Sequence, residues 1–145
     1  DNIGNAVLTR TAAELETALN AVLGQTPRIM TGTSTGLGDE AVIGDDETIV
    51  EIDSGGAAWI VQLPEATEAR RGREIKIWVQ PSVNVELQSF RDSGDTINNV
   101  DCSGGAVEAL LTHTQYYIAR QHLATGWLLQ AFTALGAVAT AIVPD

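Results

Sequence analysis

From Glu47 onward, hydrophobic and polar residues alternate with a period of two. Ile49, Glu51 and Asp53 interleave with Val50 and Ile52, and Ala58-Trp59-Ile60-Val61-Gln62-Leu63 follows a Ser54-Gly55-Gly56 turn. This pattern predicts a β-hairpin. Pro64 stops the second strand, because proline cannot donate to a sheet ladder. A polar stretch through Ala69 and then Arg71-Gly72 lead into Glu74-Ile75-Lys76-Ile77-Trp78-Val79, whose clean alternation predicts a third strand. Val83-Asn84-Val85-Glu86-Leu87-Gln88 alternates again and Asp92-Ser93-Gly94-Asp95 turns. Residues 107–111, 116–120 and 126–132 supply further β-prone runs. Short strands at regular spacing with glycine turns predict a mainly β domain over 47–132, an antiparallel sandwich or a small barrel.

The N-terminal part reads differently. After Thr9 and Thr11 as possible caps, residues 12–23 are rich in good helix formers and end at Gly24, which predicts one short helix. Its apolar stripe, Leu8, Leu15, Leu19, Val22 and Leu23, suits packing on a sheet or the seam of a short coiled coil, though fewer than two heptads cannot hold a coiled coil alone. Residues 1–30 are therefore expected to be a helical anchor or adaptor. Residues 31–46, which begin Thr31-Gly32-Thr33-Ser34-Thr35-Gly36-Leu37-Gly38, are expected to be a flexible acidic linker. Residues 133–145 form an apolar C-terminal tail that contains no charge before Asp145. Left exposed it would be an association liability. It is expected to be covered by a neighbouring chain, folded back as an edge strand, or buried as a last strand of its own domain. Leu15, Leu19, Val22, Val138, Ile142 and Val143 are the candidate subunit contacts.

Composition narrows the function classes. The 145 residues, 44% of them hydrophobic, suffice for one core but leave little room for two. Eight basic against 19 acidic residues give a net charge of -11, which repels phosphate backbones and anionic headgroups, so no nucleic-acid or membrane partner is expected. No apolar run approaches the roughly 18 residues of a membrane span. The segment from Asp1 lacks the basic start and apolar core of a signal peptide. A start at Asp1 without methionine points to a fragment or a processed product. Cys102 is the single cysteine, so stability must come from packing and partners and not from an intrachain disulfide.

Leu63-Pro64, a polar loop, Arg71-Gly72-Arg73-Glu74-Ile75-Lys76-Ile77, Gly94-Asp95-Thr96-Ile97-Asn98 and Thr125-Gly126-Trp127 follow one another in an order that resembles phage fibre and spike domains. Upstream, Leu8-Thr9-Arg10-Thr11-Ala12-Ala13-Glu14-Leu15 is similar to the Thr-Ala-Ala-Glu-Leu-Asn segments of phage fibres and head appendages, with Glu16 in place of Asn. Together these stretches span most of the chain, although each is chiefly turn chemistry and alternation. The resemblance implies a trimeric β-structured appendage on the virion, a structural head fibre or capsid decoration subunit. The alternative it allows is a receptor- or glycan-binding domain of a tail fibre or spike. Its implied partners are two further copies of the chain, other capsid or tail proteins, and a host-surface glycan. It implies no active site and no cofactor.

The candidate chemistry agrees with that expectation. His113 and His122 lie nine residues apart without a flanking ligand motif, and a metal site needs more ligands. Cys102 has no basic neighbour in sequence to favour its thiolate, so an inert thiol is expected. Asp39, Glu40, Asp45, Asp46, Glu47, Glu51 and Asp53 crowd one stretch but match no EF-hand spacing. Gly44-Asp45-Asp46-Glu47 is read as a solvated acidic turn in preference to a cation site. A glycoside hydrolase needs two carboxylates across a cleft, and no motif selects a pair. No catalytic or metal residue is assigned. Trp59, Trp78 and Trp127 each sit in an alternating strand. Trp78 shares a strand face with Lys76 and Gln80 and is therefore the exposed one. Trp78, Tyr116 and Tyr117 are the candidate receptor or glycan contacts, and burial against another subunit accounts for the same pattern.

Overall fold

Strands β1 (Arg28–Thr31), β3 (Ile49–Asp53) and β5 (Glu74–Val79) pair in parallel, in that order, along one sheet. Strands β2 (Ala41–Val42), β4 (Trp59–Gln62) and β6 (Val85–Gln88) do the same along a second sheet. The chain thus alternates between sheets, laying down successive two-strand rungs in a solenoid-like stack. This computed structural model describes residues 28–31, 41–53, 59–80 and 85–145. The expected helix over 12–23, with Leu15, Leu19 and Val22, lies outside the described residues.

The mainly β class holds, and the topology corrects the expected strand arrangement. Residues 49–53 and 58–63 do not form a hairpin, because β3 and β4 belong to different sheets. The physical reason is visible in β4, where Trp59, Ile60, Val61 and Gln62 are all buried. A strand with one wet face alternates, whereas a parallel strand covered on both faces reads as a continuous apolar run. The antiparallel sandwich or barrel is accordingly replaced by two sheets whose first half is parallel. Residues 31–46 are also not wholly linker. They contain β2, and Ile43 beyond it is fully buried, its N–H bonded to the Gln62 carbonyl at 2.9 Å. Thr31 and its three predecessors form β1, which ends the adaptor region in a strand.

The second half is mainly antiparallel. β7 (Thr96–Ile97) and β8 (Val100–Asp101) form a small hairpin, β9 (Ala109–Leu111) joins β6, and β10 (Gln115–Leu123) and β11 (Gly126–Thr133) form a long hairpin against β5. Its one parallel contact is where β7 runs beside the start of β11. The order is β1-β3-β5-β10-β11-β7-β8 in the first sheet and β2-β4-β6-β9 in the second. Between β7 and β8, Asn98 and Asn99 both have positive φ, 51° and 67°. This is the backbone of a two-residue hairpin turn, which asparagine tolerates better than most side chains. Gly126 opens β11 where a Cβ would meet Thr96 Oγ1 at 3.1 Å and His122 Cε1 at 3.3 Å, so the close passage of the chains there leaves little space for a side chain.

The inward faces of both sheets share one core. Val50, Ile52, Ile75, Ile77, Trp127 and Leu129 from the first sheet join Trp59, Val61, Val85, Leu87 and Leu111 from the second. Burying each such aliphatic side chain contributes about 1.5–3 kcal/mol.

The segment Gly94-Asp95-Thr96-Ile97-Asn98 is bonded to the loop after Pro64, to β11 and to the tail. Asp95 is buried and accepts a hydrogen bond at 2.8 Å from the Ala66 amide in the loop after Pro64. Asn98 Oδ1 accepts from the Leu129 amide at 2.8 Å, and its Nδ2 donates to the carbonyls of Leu129 at 3.1 Å and Ile142 at 2.9 Å.

The tail folds back along β11. Ala139 donates to Ala131 at 2.9 Å and Thr133 to Ala137 at 2.8 Å, and Asp145 and Glu108 exchange backbone hydrogen bonds at 3.1 and 3.2 Å. Of the expected tail contacts, Ile142 packs against the core, while Val138 and Val143 remain 67% and 76% exposed.

Candidate functional site

The outward face of the first sheet carries the feature that core packing does not use. Register places Ile29 opposite Glu51, Glu51 opposite Trp78, Trp78 opposite Tyr116, and Tyr116 opposite Phe132, which in turn bridges to Val138. Residues directly opposite one another share a sheet face, so five apolar side chains and one carboxylate form a single row across the molecule. The Tyr116 and Phe132 rings stack in parallel, with centroids 5.0 Å apart and planes 9° apart. Trp78 stands half-buried beside them.

Two further rows follow on one side of the aromatic one. Ile49, Lys76, Ile118 and Gln130 form the second, and Glu74, Arg120 and Leu128 the third. Arg120 Nε donates to Glu74 Oε1 at 2.6 Å, closing an exposed ion pair. Between β11, the Asn98-Asn99 turn and the tail lies an open groove of about 540 Å³. Ile118, Leu128, Gln130 and Phe132 contribute to its floor, and Asn99 and Ile142 to its sides.

Of the expected binding residues, Trp78 and Tyr116 become cross-strand neighbours. Tyr117 does not join them and is corrected to a core residue. Successive strand residues face opposite sides, so with Tyr116 outward Tyr117 is fully buried, and its hydroxyl accepts from the Thr112 amide at 2.6 Å. Trp59 and Trp127 are buried as well. Phe132 and Leu128 escaped the sequence reading because the run Gly126-Trp127-Leu128-Leu129 is apolar on both faces, so its alternation is hidden. No protein-family model, curated protein or solved structure matches this chain.

Several ionisable groups are engaged in structural contacts. The acidic turn is clasped by arginines: Glu47 pairs with Arg28 at 2.6 Å and accepts from the Gly44 amide at 2.8 Å, while Asp45 pairs with Arg70 and lies 3.9 Å from Arg73. Arg73 also donates to the carbonyls of Gly44 at 2.7 Å and Glu47 at 3.1 Å. Burial, and next the Arg70 charge, lower its pKa from the ordinary guanidinium value. Among the described residues no group of three or more His, Cys, Asp or Glu side chains is placed to hold a metal ion. Cys102 is buried, and burial pushes its thiol up to about 11, where the reactive thiolate is scarce at neutral pH.

Proposed function

We propose that the chain is a structural subunit of a phage particle, a homotrimeric head fibre or capsid decoration protein whose copies meet through the outward face of the first sheet. The observation that carries this reading is the row Trp78, Tyr116, Phe132 and Val138, apolar and aromatic on a chain of net charge -11. Interface cores are enriched in aromatic residues and depleted in charge, as this row is. The ordered phage-appendage motifs supply the particle, and the uncharged stretch 133–144 supplies a second surface on which acidic copies can meet without repulsion.

Light scattering of the purified chain tests the assembly. A mass of three chains is expected, falling toward one chain when Trp78 and Tyr116 are both changed to serine. Peptides of this chain are expected in purified particles of a phage that encodes it, and their absence would overturn the virion reading. A second reading, a glycan-binding fibre tip, is favoured by the stacked Tyr116 and Phe132 beside Trp78, since aromatic faces pack on sugar rings. It predicts a monomeric chain that binds a saccharide and loses that binding on Trp78→Ser.

A further inference from the structure

The tail turn carries a side chain that its local structure does not need. Gly136 donates to the Thr133 carbonyl at 2.8 Å and has a φ of 83°, closing a tight turn whose apex is Ala134-Leu135. Such positions usually take Asn, Asp, Ser or Gly for their local hydrogen bonds and backbone freedom. Leu135 stands there instead, 97% exposed. A single exposed leucine is ordinary. Here, however, it projects from a segment, 133–144, without a charged residue, in a chain holding 19 acidic ones.

The groove on β11 has the matching character. Its lining is mainly apolar and includes Ile118, Leu128, Phe132 and Ile142, with Asn98, Asn99 and Gln130 as polar members, no acidic residue, and Arg120 as its one charge. It is continuous with the aromatic row, because Phe132 belongs to both.

We infer that the groove is a socket for the Leu135 turn of a second copy of this chain. This deepens the homo-oligomer reading and rests on it. The chain carries both halves of the contact, an uncharged protruding knob and an acid-free apolar recess, and these are surfaces on which two acidic copies can approach without like-charge repulsion. A knob and a socket on different parts of one surface make a heterologous contact, which closes as a ring when the rotation between copies permits. The adjoining row Trp78, Tyr116 and Phe132 widens the contact toward the roughly 800 Å² per partner of a stable interface.

The test uses the full chain and two single variants, Leu135→Asp for the knob and Leu128→Lys for the socket. Both positions are solvent-facing, so unchanged circular dichroism and melting are expected. Sedimentation should show each variant needing at least tenfold higher concentration for half-assembly than the unaltered chain. Mixed, the two should form a species of two chains and no larger, since the intact knob of one fits the intact socket of the other and no further junction remains. An unaltered trimer that neither substitution weakens would overturn the socket while leaving the homotrimer standing. A monomeric unaltered chain would remove both. Retained trimers in which a saccharide perturbs the Leu128 and Gln130 resonances would overturn the inference by assigning the groove to a sugar.

Discussion

The two halves of the molecule face the same core but present different exteriors. In the parallel half, the outward positions of β3 and β5 include Glu51, Asp53, Glu74 and Lys76, and the acidic turn before β3 is held by Arg28, Arg70 and Arg73. In the antiparallel half, the outward positions of β10 and β11 include Tyr116, Ile118, Arg120, His122, Leu128, Gln130 and Phe132, followed by an uncharged tail. Charge on an outer face keeps it wet and unpaired, whereas an apolar outer face is costly unless something covers it. The difference separates what builds the fold from what the fold displays. The rungs supply most of the charged outer positions, together with Ile49 and Trp78, and the β10–β11 hairpin with its returning tail carries most of the apolar outer surface.

The largest effect should come from testing whether the halves are one unit. Ile52 in β3 and Trp127 in β11 are fully buried in one hydrophobic cluster. Trp127→Ala is expected to cost about 3–5 kcal/mol and Ile52→Ala about 2–5 kcal/mol, by lost transfer energy and the cavity left behind. Urea unfolding followed by both tryptophan fluorescence and circular dichroism should remain a single coincident transition in each variant. Two separated transitions would break the shared core into two.

The next effect is on the seam between hairpin and tail. Asn98→Gly keeps the positive φ accessible but removes the hydrogen bonds to Leu129 and Ile142. Leaving those backbone groups unsatisfied should cost about 1–3 kcal/mol. Hydrogen exchange should show the Leu129 amide losing protection, while amides of β3 and β5 keep theirs. Uniform loss across both halves would mean that the tail staples the whole fold and not one side of it.

The β class, most strand positions and the outward placement of Trp78 and Tyr116 were legible because alternation at period two is a local signal. Ile75, Ile77 and Val79 alternate with Glu74, Lys76 and Trp78, and the structure keeps that division. Strand direction was not legible. Whether the chain after Asp53 turns back or crosses to another sheet depends on which partner strands exist. The hint, apolar residues at successive positions of β4, resembled a hairpin arm. Tyr117 was misread because two adjacent tyrosines were taken together, although one strand cannot turn both to the same side. The groove was invisible because Asn98, Leu128 and Ile142 meet only through the turn and the returning tail.

A smaller effect concerns the outer face itself. Replacing Tyr116 by leucine retains apolar area but removes the stack on Phe132, for a loss of about 1 kcal/mol in the monomer. The same change should weaken assembly more than it weakens folding, which thermal melting and sedimentation of one sample would separate. Equal losses in both would make the row part of the fold and no longer a displayed surface.

The smallest effect is electrostatic and lies where the tail end meets the second sheet. Burial, with the charges of Glu86 and Asp145, holds the Glu108 carboxyl above its usual value. The folded chain therefore binds that proton more tightly than the unfolded chain. Stability then falls as pH rises from the ordinary glutamate value, about 4.3, through the raised one, and the penalty persists above it. Glu108→Gln should raise the melting temperature slightly at pH 7, with the difference fading in acid. Asp101 works in the opposite sense. The Ser103 hydroxyl, and then the Ser103 amide, bond its carboxylate and depress its pKa, so its contribution is present at neutral pH and lost as pH falls through the depressed value. Asp101→Asn should accordingly lower the melting temperature at pH 7. Both differences should shrink toward zero in acid, from opposite sides. A Glu108→Gln curve that does not lie above that of the unaltered chain at pH 7 would mean that burial and the neighbouring charges do not oppose ionisation of Glu108.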